Sequence, residues 1–146
     1  MPDPHARRDP VDRPMTRLRW LFVGYALLLF TLTHMPRLAV PMGPVPRADL
    51  LQHLVAFGGW SVLFTACGFF GRWNSGRNIA RSAAVGVVYA CIDEGLQAVP
   101  VINRVFGWDD MLFNVIGILA GSALVHIIGR KGRTTEAHRT PRGTGA

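Results

Sequence analysis

The sequence predicts an all-α fold, an integral membrane bundle of four transmembrane helices with both termini in the cytoplasm. Three observations lead there. Four apolar runs come close to the roughly 20 residues that cross a bilayer as helix. Most of the basic residues flank these runs instead of interrupting them. The strongly polar groups gather in one stretch, Asp93 to Gly121, whose surroundings are otherwise oily.

Residues 1–16 hold four prolines and a cluster of charges with little to bury, which predicts a disordered cytoplasmic tail. From Leu18 to Met35 the chain turns apolar, with Arg17 and Arg19 at its foot and Pro36 at its end. Basic residues before an apolar core also suit a secretory signal, but no small-x-small cleavage site follows closely and further spans come after, so an uncleaved first span is expected. The segment from Pro36 to Arg47 has four prolines in twelve residues and predicts a stiff loop.

Asp49 is placed to cap a second span, Leu50 to Phe70, about 30 Å of helix. The turn-forming loop Gly71 to Asn78 leads to a third span, Ile79 to Val99, stopped by Pro100. After the link from Pro100 to Trp108, a fourth span runs from Asp110 to Ile128. The membrane domain thus covers residues 17–129, and residues 130–146, rich in Arg, Thr and Gly, predict a second disordered basic tail. No internal repeat is present.

The charge distribution orients these spans. Of 16 basic residues, all arginine except Lys131, five precede the first span, three lie in or beside the loop between the second and third (Arg72, Arg77, Arg81), and five follow the fourth. The other side carries Arg37, Arg47 and Arg104. Thirteen against three places both termini in the cytoplasm. A net charge of +7 and a pI near 11.0 invite a nucleic-acid reading. That reading needs a basic face on a folded domain, whereas these arginines bracket hydrophobic segments and suit anionic lipid, so no nucleic-acid partner is expected.

Helical periodicity then assembles a candidate site. Asp49, His53 and Phe57 share a stripe starting at the outer surface, Glu94 and Gln97 sit one turn apart where the third span ends, and Asp110, Asn114, Gly117 and Gly121 run down one face of the fourth. At 1.5 Å per residue these polar groups lie within about 8 Å of the outer boundary. Cys67 and Cys91 fall at depths about 13 Å apart, beyond disulfide reach. No metal-ligand spacing such as CxxC or HExxH occurs, so neither metal nor other cofactor is expected, although Glu94, Asp109 and Asp110 form a carboxylate-rich neighbourhood.

Taken in order, Asp49-x3-His53-x3-Phe57, Glu94-x2-Gln97 and Arg104-x5-Asp110-x3-Asn114-x2-Gly117-x3-Gly121 resemble the pattern of the VanZ-like membrane proteins over about residues 20 to 128. Where that family commonly has a lysine after the aspartate, Leu50 stands here. The founding member is associated with low-level resistance to the glycopeptide teicoplanin and relatives with sensitivity to other surface-acting agents. The resemblance therefore implies a link to antibiotic sensitivity without a defined reaction.

The residues themselves admit two readings. His53 and Glu94 serve either as an interhelical hydrogen bond that fixes the bundle or as a catalytic acid/base pair in an outward-facing pocket. Asp49, Gln97, Asp110 and Asn114 would line that pocket as ligand-binding groups. Arg104 is either a surface ion pair or an anchor for the phosphate or carboxylate of a lipid-linked cell-wall molecule. Gly117-x3-Gly121 is a close-packing motif, facing either another span or a second copy of the chain in a homo-oligomer.

Three functions follow. One is a protein that binds, and as an enzyme would modify, an outer-leaflet amphiphile: a membrane lipid, a lipid-linked cell-wall precursor or a lipophilic antibiotic. The others are an oligomeric transporter or channel element and a structural membrane partner. Polar residues across the whole bilayer would favour conduction, yet the inner half offers only Thr65, Cys67, Ser82, Ser122 and His126. A pocket near one surface is favoured.

Overall fold

The computed structural model describes residues 12–34, 48–97 and 107–139, with side chains over 15–34, 49–97 and 107–131. Four helices follow one another: α1 (Asp12–His34), α2 (Ala48–Ala66), α3 (Gly76–Gln97) and α4 (Trp108–Arg139), with no strand among the described residues. Each predicted span therefore holds one helix. The Pro36–Arg47 loop and the link with Arg104 lie outside the described residues.

Side-chain contacts give the helix directions. Thr33 of α1 meets Asp93 near the end of α3, and His53 near the start of α2 meets Asn114 near the start of α4. Helices α1 and α3 end where α2 and α4 begin, in an up-down-up-down bundle whose polar end collects all four.

Four boundaries differ from the sequence expectation by three residues or more, one of them the start of α3 at Gly76, inside the predicted loop. Helix α2 stops at Ala66 because Gly68 (φ 63°) takes a left-handed turn that few other residues adopt. Asn78 then secures the helix end: its Nδ2 donates to Thr65 O at 2.8 Å, and its Oδ1 accepts from Phe70 N at 3.0 Å. Helix α1 begins at Asp12, inside the tail predicted to be disordered, and α4 runs on to Arg139, past Gly129. Gly129 does not stop α4 because it is a contact position: a Cβ there would come within 2.7 Å of Asn74.

The centre of the bundle is the α2–α4 seam, which the glycines make possible. A Cβ on Gly117 would collide with Leu54 O, and one on Gly121 would lie 2.5 Å from Gly58 O. The neighbour left open by the sequence is thus α2 of the same chain. Backbone contact lets Ser61 Oγ donate to Ile118 O at 3.0 Å and meet Ser122 Oγ at 3.0 Å. Alongside, Trp60 stacks between Phe64 (4.7 Å) and Tyr89 (5.3 Å), with the Phe22 edge at 5.4 Å, so the aromatic residues are packing elements. Cys67 is buried and Cys91 exposed, and both are free.

The distribution of polarity is inverted relative to a water-soluble bundle. Among the described residues ten buried ones are polar or charged against eight that are apolar, while large apolar side chains such as Trp20 (71% exposed) and Trp108 (78%) cover the surface. Water would penalise that arrangement and lipid would not. Helix α1 over Met15–His34 and helix α4 over Trp108–Lys131 are long and apolar enough to cross a membrane.

Candidate functional site

Two clusters of ionisable residues form at the polar end, and consecutive residues of α3 divide them. Adjacent helical positions point about 100° apart, so Asp93 turns toward α1 and Glu94 toward α2 and α4.

The larger cluster joins three helices. Asn114 is fully buried and donates from Nδ2 to Glu94 Oε1 at 2.9 Å, while its Oδ1 lies 3.0 Å from His53 Nδ1. This relay has a direction. The Glu94 carboxylate accepts, so Asn114 offers it the amide and presents its oxygen to His53, whose Nδ1 then carries the proton. His53 Nδ1 is also 3.8 Å from Glu94 Oε1, and its Nε2 is 3.7 Å from Asp110 Oδ2. One donor atom from each of His53, Glu94 and Asp110 falls within 4.8 Å of the others.

Backbone placement explains the geometry. Asp110 is in the first turn of α4, where the helix N-terminus favours negative charge, and a Cβ on Gly107 would lie 2.7 Å from its Oδ2. Glycine leaves the space that the carboxylate occupies. Access is one-sided: the Glu94 side chain is fully buried, whereas those of His53 and Asp110 are 16% and 26% exposed. One helical turn deeper, Phe57, Ala90 and Ile118 are each completely buried and close the floor.

The smaller cluster was missed in the sequence. Thr33 Oγ1 donates to Asp93 Oδ1 at 2.9 Å, Gln97 Nε2 donates to Asp93 Oδ2 at 3.1 Å, and His34 Nδ1 stands 3.6 Å from Oδ1. Gln97, expected beside Glu94, serves Asp93 instead, because positions four apart share a face more closely than positions three apart. The available signal was the Thr33-His34 pair at the end of the first span, a level that the topology already shared with Asp93.

Two more expectations shift. Asp49 lies in the first turn of α2, one residue inside the helix, and is exposed. There its charge complements the helix terminus, and among the described residues nothing ties it to His53. Leu50 is buried, so a lysine at that position would have its stem inside the bundle. Gly117 and Gly121 pack α4 on α2, as described above.

The family model for VanZ/LLP1 matches residues 20–129. The chain belongs to the VanZ/LLP1 family. The match takes in the packed parts of all four helices and every residue of both clusters, so the pattern that resembled VanZ-like proteins in the sequence is one of family membership. Neither the curated proteins nor the solved structures contain a match.

Proposed function

We propose that this VanZ-like protein crosses the cell membrane four times, keeps both termini in the cytoplasm, and uses its polar end as an outward-facing pocket for the head group of an envelope amphiphile. A lipid-linked cell-wall precursor is the favoured occupant, and its capture would alter sensitivity to glycopeptide-type agents. The observation that carries this reading is the His53–Glu94–Asp110–Asn114 cluster: ionisable, open on one side, and set in a bundle whose surface is apolar. An ionised group in such surroundings costs several kcal/mol unless it meets a partner or water, so its placement needs a reason beyond packing. Arg104, outside the described residues, enters the proposal from its place in the sequence alone, in the link between α3 and α4.

If binding leads to chemistry, His53 and Glu94 are the acid/base pair, with Asn114 orienting the imidazole. A transport or channel role is disfavoured by the fully buried apolar layer of Phe57, Ala90 and Ile118 directly beneath the cluster and by the absence of a carboxylate among the described buried polar residues deeper down, Ser61, Thr65, Asn78, Ser82 and Ser122.

Mass spectrometry of amphiphiles copurifying with the intact protein from its own membrane tests the proposal. One class of head group should be enriched over the bulk membrane and lost in Asp110→Asn. A profile matching the bulk membrane in both proteins would refute it.

A further inference from the structure

From the geometry of the larger cluster we infer a divalent-cation site formed by His53 Nε2, the Glu94 carboxylate and Asp110 Oδ2. This deepens the reading above and rests on it: the cation would be what allows a pocket lined by carboxylates to hold a phosphate-bearing head group.

The first ground is the direction of the relay. With its Nδ1 proton committed to Asn114 Oδ1, a neutral His53 turns the lone pair of Nε2 toward Asp110 Oδ2, 3.7 Å away. Two electron pairs facing across that distance repel, and a cation between them converts the repulsion into two bonds. A metal-bound histidine ordinarily donates its other ring N–H to a fixed acceptor, and Asn114 is that acceptor here.

The second ground is independent of the histidine. Glu94 is fully buried and its Oε1 accepts from Asn114, yet its Oε2 is buried with no hydrogen-bond partner. Buried carboxylate oxygens are rarely left so. The same carboxylate stands beside His53, its Oε1 3.8 Å from Nδ1, and the three residues each bring a donor atom within 4.8 Å of the others.

Charge supplies the third. Among the described residues no lysine or arginine forms an ion pair with Glu94 or Asp110 and only His53 stands opposite them, so a cation held there would act together with the Arg104 of the proposed pocket on a phosphate group. One imidazole with two carboxylates suits a first-row divalent ion such as Mn2+ or Zn2+. The partly exposed Asp110 side leaves room for a further ligand, the position a head-group oxygen would take. The residues differ from the Glu94, Asp109 and Asp110 neighbourhood visible in sequence: His53 replaces Asp109, which is exposed.

The test uses the full-length protein in detergent, stripped with chelator and titrated with Mn2+ or Zn2+ alone, without amphiphile. Saturable binding of about one ion per chain, with a rise in melting temperature, is expected. Asp110→Asn and His53→Gln should abolish it, and Asn114→Ala should weaken it about 10–100-fold by freeing the imidazole. Asp110 is partly exposed, so its variant keeps a folded protein in the experiment even if the buried ones fail. No saturable binding by folded protein, or binding unchanged in Asp110→Asn and His53→Gln, overturns the site. Because no lipid enters the titration, this failure is separate from that of the amphiphile reading, which copurification decides.

Discussion

Adding one methyl group at Gly121 or Gly117 probes the seam that brings His53 to Asn114. A Cβ on Gly121 would start 2.5 Å from Gly58 O, so the two helices must part by about 0.9 Å to restore the 3.4 Å of ordinary contact. The atom in the way is backbone and cannot swing aside. Overpacking of this kind costs about 1–3 kcal/mol, and a gap near 1 Å forfeits up to about half of each dispersion contact along the seam. It also stretches the Ser61–Ile118 hydrogen bond, now 3.0 Å. Gly24→Ala and Gly95→Ala are the controls, since a Cβ at either meets nothing within 4 Å and alanine gains about 0.5–1 kcal/mol in a helix. The helix-propensity gain is common to all four variants, so reversible unfolding in detergent should separate Gly117→Ala and Gly121→Ala from the controls by the overpacking cost, about 1–3 kcal/mol. Equal stability of all four variants would refute the seam as described.

Other consequences concern the clusters. Glu94→Gln, Arg104→Gln and Asp110→Asn should each abolish any surface-agent phenotype of the intact protein while leaving its abundance in the membrane unchanged. Double variants should add little, because groups acting as a unit are not additive. Abundance and melting temperature falling in step with the phenotype would instead mark the cluster as interhelical glue. Thr33→Val keeps the shape but removes the donor to Asp93, which should cost about 1–3 kcal/mol in the same unfolding assay. Thr31→Val, whose hydroxyl among the described residues bonds Leu27 O on an exposed face, should stay within about 0.5 kcal/mol of the parent.

The parts of this structure that were legible in sequence are those governed by a single helix. Run length and the flanking arginines predicted four helices, and the three- and four-residue spacing of Asp110, Asn114 and the glycines put them on one face. Because α2, α3 and α4 each carry a polar group at the same level, His53, Glu94, Asp110 and Asn114 could be grouped before any contact was known. Rotation of one helix against another is not encoded in such spacing. That is why Thr33 and His34, a polar pair too short to show a period, went unnoticed, whereas the Gln97–Asp93 bond lies within α3 and its four-residue spacing was present in the sequence. The early end of α2 depended on a side chain twelve residues on, Asn78, reaching back to Thr65 O. The continuation of α4 through residues 130–139 follows from a helix already nucleated by packing, with Arg, Lys, Glu and Ala to carry it on.

The central claim is that the polar end of the bundle opens to the outside. Its most direct test is cysteine accessibility in intact cells, in a background with Cys67 and Cys91 replaced. Trp108 is 78% exposed at that end, so Trp108→Cys should react with a membrane-impermeant maleimide added outside, whereas Ala146→Cys should react only after permeabilisation. Labelling of position 146 from outside, with position 108 protected, would contradict the account.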